Sequence, residues 1–220
     1  MKFDKPSPAR LAGLGAVALL VAGCASLSEP SPAELDAQFK AMLQASFRDQ
    51  GIAKVDRLQQ DEGQAACSTG SAPDEATARR IEAQSLATVK PPSDGKYLGD
   101  WKEGEKLAQN GRGMTWTDAS AAASANGGNC YNCHQISKEE ISFGTIGPSL
   151  YNYGKLRGVT DPASPAVKAM VEYTWGKLYN ARAYNACSNM PRFGHMKLLD
   201  EAQLKDLMAL LLDPKSPVNQ

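Results

Sequence analysis

The chain has 220 residues, long enough for one domain plus an extension. Its 24 basic and 24 acidic residues balance, so nothing in the charge supports nucleic-acid binding. Aromatic residues are sparse at 7%, while 19 glycines and 13 prolines point to long loops.

The N-terminus reads as an export signal. Lys2, Lys5 and Arg10 make a positively charged start, Leu11 to Ala22 is an apolar run, and small residues come next. The run is too short for a comfortable transmembrane helix. Val21-Ala22-Gly23-Cys24 resembles a bacterial lipoprotein box, in which Cys24 is lipidated and becomes the new N-terminus. Cleavage after Ala25 is the plainer alternative; the lipoprotein reading is preferred. Residues 1–23 are therefore assigned to a signal peptide and the mature chain to the periplasm, with Cys24 as a membrane tether. Loss of Lys2, Lys5 and Arg10 against Asp4 leaves a mature charge of about −2.

Residues 24–95 read as a helical and loop extension without a core of its own. Ser31-Pro32-Ala33-Glu34 is a helix start, with Ser31 as cap, Pro32 in the first turn and Glu34 closing a capping box. Leu35, Phe39, Met42 and Leu43 recur at helical spacing, and Gly51 is the expected stop. Asp74 to Val89 predicts a second helix, ended by Pro91-Pro92, with Gly63 to Pro73 as loop. Two such helices bury too little to stand alone. They are expected to pack on the next domain or on another protein, and a mobile spacer is the competing reading.

Pro91-Pro92-Ser93-Asp94-Gly95 marks the boundary, and residues 96–220 form the second domain. Asp100 to Gln109 patterns as a helix, with Trp101, Leu107 and Ala108 available for burial. Gly104 weakens its interior and is expected to admit another helix at close range.

Cys130-Tyr131-Asn132-Cys133-His134 is the most informative stretch. It reads C-x-x-C-H, the attachment site of a covalent c-type haem. The two thiols can form thioethers with the haem vinyl groups, and His134 then lies under the iron as axial ligand. A thioredoxin-like pair would need a βαβ setting, and a zinc site would need a second pair of ligands. One covalent haem c is thus the expected cofactor. Export and haem account for Cys24, Cys130 and Cys133. Cys67 and Cys187 remain, and an oxidising compartment permits them to pair.

Gly144-Thr145-Ile146-Gly147-Pro148-Ser149-Leu150 comes after the motif. Pro148 is expected to offer its carbonyl to the His134 ring N–H, and Leu150 to pack on the haem edge. Met190 is the leading second ligand, since Pro191 biases it toward an extended loop. His195 and Met196 are rivals in the same loop, with Met196 expected to pack beneath the last helix. Arg157, Arg182 and Arg192 are candidate propionate partners. An iron held by both His134 and Met190 has no vacant position, so the site moves electrons and no residue is assigned a catalytic role. The last helix starts at an Asp200 cap with Gln203 three residues on, carries a stripe of Leu204, Leu207, Met208 and Leu211, and stops before Pro214. No segment shows strand alternation. The fold class is therefore all-α, resembling a class I cytochrome c domain wrapped around one haem and preceded by a partly helical extension.

Four blocks carry a narrower resemblance: Gly128 to His134, Gly144 to Leu150, Cys187-Ser188-Asn189-Met190-Pro191-Arg192-Phe193-Gly194, and Leu211 to Pro214 with Ser216-Pro217-Val218-Asn219. From about Gly99 onward the chain resembles the SoxX family, the monohaem subunit of the SoxAX cytochrome of bacterial sulfur oxidation. The resemblance implies a SoxA-like multihaem partner whose own haem has a cysteine ligand. It implies a complex that joins thiosulfate oxidatively to a cysteine of the SoxYZ carrier, an L-cysteine S-thiosulfotransferase of which this chain is the electron-transfer subunit. It also implies a soluble cytochrome c as electron acceptor. A free-standing class I cytochrome c, and a haem sensor with a displaceable Met190, are the alternative readings.

Overall fold

The computed structural model describes residues 29–140 and 146–220. The expected signal peptide and Cys24 lie outside the described residues, as do Gly144 and Thr145. The chain divides into two compact units, the first ending at Arg48 and the second spanning Asp49–Gln220. Among the described residues there is no β-strand, only an isolated bridge between Gln50 and Ala53. The fold is all-α. No described helix is long and apolar enough to cross a membrane.

The first unit holds α1, Pro32–Ser46. Its start is set by the capping box: Glu34 N–H donates to Ser31 Oγ at 3.3 Å, and Ser31 N–H donates to Glu34 Oε2 at 2.7 Å. Helix α1 ends at Phe47, short of Gly51.

The second unit contains α2 (Glu62–Ala66), α3 (Glu75–Leu86), α4 (Trp101–Ala108), α5 (Lys168–Tyr179) and α6 (Glu201–Leu212). Helices α4 and α6 cross at its centre. Gly104 makes the crossing: a Cβ there would run into the Asp206 carbonyl and the Leu210 side chain. Gly99 N–H donates to Lys205 O at 2.9 Å and Asp100 N–H to Asp206 Oδ1 at 2.8 Å, fixing the crossing at the backbone. Leu204, Leu207, Met208, Leu210, Leu211 and Leu212 are all buried, so α6 is enclosed on more sides than its expected stripe.

Helix α5 has no counterpart among the elements expected from the sequence. Val167 at its N-cap makes no side-chain cap bond, and Val171, Thr174, Trp175, Gly176 and Leu178 are all buried. The helix is amphipathic, with Val171, Thr174, Trp175 and Leu178 turned inward and Lys168, Glu172 and Tyr173 exposed, but no capping residue announces its start. Helix α2 corrects the expected loop from Gly63 to Pro73. It is a single turn made by a second capping box, with Asp61 and Gln64 serving each other's backbone at 2.8 and 2.9 Å.

The boundary expected near residue 95 does not separate compact units. Residues 49–95 and 96–220 fold together as one unit. Ile81 of α3 is 3% exposed, and burying it fully is worth about 2 kcal/mol. Trp175 Nε1 donates to Lys90 O at 2.7 Å, Asn180 Nδ2 to Thr88 Oγ1 at 3.0 Å, and Ala186 N–H to Glu82 Oε1 at 3.1 Å. Even the Pro-Gly stretch is tied down: Ser93 donates to Glu201 through its backbone and its hydroxyl, and Lys205 pairs with Asp94 at 2.6 Å. Its composition marks a turn, not a hinge. The disulfide Cys67–Cys187, with Cα atoms 5.5 Å apart, closes this attachment covalently.

The C-terminus is part of the core. Asn219 Oδ1 accepts from Gly154 N–H at 2.9 Å and Lys155 N–H at 3.1 Å, while its Nδ2 donates to Leu211 O and Asp213 O. The Ser-Pro-Val-Asn ending therefore locks the loop after the haem motif to the end of α6.

Candidate haem-binding site

Asn129, at φ 53°, turns the chain into the single helical turn Cys130–Asn132. Cys133 and His134 both donate their N–H to Cys130 O, at 3.1 and 2.9 Å. Gly128 N–H donates to Leu107 O at 2.9 Å and Asn129 N–H to Asn110 O at 3.0 Å, so the motif is fastened to the end of α4.

Cys130 and Cys133 are both free thiols. Cys130 keeps some accessible surface, yet it packs against the apolar core, and burial pushes its thiol up to about 12. Such a setting resists a thiolate and suits a neutral thioether.

His134 Nδ1 lies 2.6 Å from Pro148 O. A carbonyl only accepts, so Nδ1 carries the proton and Nε2 keeps its lone pair for a metal. The loop that brings Pro148 there passes against the histidine ring. A Cβ on Gly147 would lie 2.6 Å from Cys133 O and 2.8 Å from His134 Cε1, so only glycine fits. Leu150 N–H donates to Gln135 O at 2.8 Å and Ser149 Oγ to Gln135 Oε1 at 2.7 Å, holding the loop in register with the motif.

Met190 is partly buried and packs on the same apolar core as Cys130 and Leu150. Its rivals are placed differently. Met196 is 50% exposed, which corrects its expected position beneath the last helix. The turn from Arg192 to Lys197, with Met196 N–H on Arg192 O and Lys197 at φ 55°, directs it to solvent. His195 is also exposed, its N–H bound to Tyr179 O at 3.0 Å.

The three arginines separate. Arg157 lies over the Tyr153 ring at 3.7 Å from its centroid. Arg182 and Arg192 both pair with Asp61, each at 2.7 Å. The capping box marks Asp61 as a helix start, but no local pattern marks these pairings, because both arginines lie more than a hundred residues away.

Two free thiols one turn apart, an imidazole with an open Nε2 and a thioether on the same core form a donor set that fits a covalent c-type haem. The sequence profile of cytochrome c matches residues 102–214, just over half of the chain. The chain belongs to the cytochrome c family. This cytochrome c binds haem covalently and serves haem-based electron transfer. It is also 36% identical, over 163 residues and 73% of each chain, to a protein of Aquifex aeolicus described as an uncharacterized lipoprotein. That match is longer than the region the cytochrome c profile covers.

Proposed function

We propose that this cytochrome c is the electron-transfer subunit of a SoxAX-type complex. In that reading a SoxA-like multihaem partner holds the reaction site. Thiosulfate and a carrier cysteine thiolate on SoxYZ are joined by a new S–S bond, giving a cysteine S-thiosulfonate and two electrons. The electrons pass through this subunit one at a time to a soluble cytochrome c.

Bound haem supplies a one-electron couple at its iron. The residues of the chain do the rest. Cys130 and Cys133 would anchor the macrocycle, and His134 and Met190 would ligate its iron. Pro148 O holds the His134 proton on Nδ1, which orients the ring and raises its basicity. Leu150, partly buried against the core, would pack beside the macrocycle.

The observation that carries the reading is the build of the Cys187–Gly194 block. Met190 sits partly buried between a disulfide at Cys187 and an ion pair at Arg192. This is the block with the strongest SoxX resemblance, and it presents Met190 rather than His195 or Met196 to the core. The disulfide fits an oxidising compartment, in keeping with a periplasmic chain. The lipoprotein name of the Aquifex protein supports a lipid on Cys24.

Native pull-down with haem counting and a thiosulfate-dependent reduction assay tests the proposal. A stable multihaem partner, with reduction that requires thiosulfate and carrier, is the expected result. A monomer that thiosulfate, partner and carrier leave oxidised would instead mark a free-standing electron carrier.

A further inference from the structure

We propose that the segment 61–67 is a clamp on the Met190 loop, with Asp61 as its positioning residue; this rests on the reading of Met190 as axial ligand. The segment grips the loop on both sides. On one side Cys67 is bonded to Cys187, three residues before Met190. On the other, Asp61 Oδ2 forms an ion pair at 2.7 Å with Arg192, two residues after Met190. Asp61 Oδ1 accepts at 2.7 Å from Arg182, on the chain leading into the loop.

The grip is rigid at its own end. Asp61 is the N-cap of α2, where it accepts from Gln64 N–H at 2.8 Å, and Cys67 is the C-cap of the same turn. Gly63 backs directly onto the Arg182 guanidinium, since a Cβ there would lie 2.7 Å from its Nη1. The Arg182 and Arg192 side chains are only 11% and 15% exposed, so neither is free to swing away.

The loop itself is weakly built. Met190 N–H reaches only the Ser188 hydroxyl, at 3.3 Å, and Pro191 has no N–H to give. A cavity of about 340 Å³, bordered by Gln60, Gln64, Ser68, Asn189 and Met190, lies between loop and clamp. Packing therefore does not pin Met190 on that side. Attachment does. A thioether is a neutral, soft ligand, and its hold on iron depends on how seldom the loop opens. The clamp suppresses the open state and so keeps the site six-coordinate.

The test uses full-length holoprotein: wild type, Asp61→Ala, Asp61→Glu, Met190→Ala, and a Cys67→Ala/Cys187→Ala double variant that lacks the disulfide. Two signals are read, the near-infrared sulfur–iron charge-transfer band of the oxidised form and carbon monoxide binding to the reduced form. The inference expects wild type to show the band and exclude carbon monoxide. Asp61→Ala and the disulfide-free variant should lose band intensity and bind carbon monoxide at least about tenfold more tightly, because apparent affinity scales with the open fraction. Asp61→Glu should restore most of the wild-type behaviour, which a loss of global stability would not predict. Wild-type band and carbon monoxide exclusion in Asp61→Ala, with the band lost in Met190→Ala, would overturn the clamp alone. A band missing from wild type would overturn the Met190 reading and the clamp with it.

Discussion

The ring Nδ1 of His134 donates to the carbonyl of Pro148 across 2.6 Å. It fixes the tautomer that leaves Nε2 toward a metal. It requires Gly147, because the backbone there runs against both Cys133 O and the imidazole.

Gly147→Ala is expected to damage both the fold and the haem site. The added carbon has no free volume, and overpacking of this kind costs about 1–3 kcal/mol. Thermal denaturation of the holoprotein should show the loss, together with a shifted haem spectrum as His134 is displaced. A neighbouring control, Ile146→Ala, removes a side chain that is 76% exposed and should change neither.

Ile81→Ala tests whether residues 49–95 belong to the haem unit. Ile81 is 3% exposed, and truncating a buried isoleucine costs about 2–5 kcal/mol. Denaturant unfolding monitored by haem absorbance should shift to lower midpoint in step with far-ultraviolet circular dichroism. A shift in circular dichroism alone would mean that α3 unfolds as a separate piece.

Asp61 predicts a specific acid dependence. Burial raises its pKa, but the Gln64 N–H, Arg182 and Arg192 outweigh it and hold the carboxyl at about 2, below the ordinary 3.8. A depressed folded value means that the carboxylate stabilises the fold fully above about pH 4 and loses that contribution as pH falls toward about 2. Wild type should therefore exceed Asp61→Asn in stability at neutral pH, and the gap should close between about pH 4 and pH 2. A gap that stays constant over that range would show that the carboxylate charge is not what the two arginines hold.

Asn219→Ala should destabilise the chain despite lying one residue from its end. Four hydrogen bonds at 2.9 to 3.1 Å depend on this one amide. Losing them leaves buried backbone groups unpaired, at a total cost of about 2–4 kcal/mol. Thermal melting checks it, and a melting point equal to wild type would remove the C-terminal block from the core.

What could be read from the sequence was local. The Ser31–Glu34 and Asp200–Gln203 capping boxes, the Cys130–His134 motif and the Gly104 crossing each lie within one turn or one element, so a short window contains their physics. Pro148 was legible because its turn comes soon after the motif in sequence. Helix α5 was not, because no capping residue at Val167 marks its start. The Pro91–Gly95 boundary misled because composition reports a turn, while the ties from Ser93 to Glu201 and from Trp175 to Lys90 span about a hundred residues. The Cys67–Cys187 bond was reached by elimination among the five cysteines. The Asp61 pairings, also distant, had no such count to expose them.

The most direct measurement is the near-infrared spectrum of the oxidised holoprotein, taken for wild type and for Met190→Ala. Wild type should show a sulfur–iron charge-transfer band that is absent in the variant, with His195→Ala and Met196→Ala both retaining it. A band that survives in Met190→Ala, or that disappears with Met196→Ala, would contradict the assignment of Met190 and with it the closed electron-transfer site.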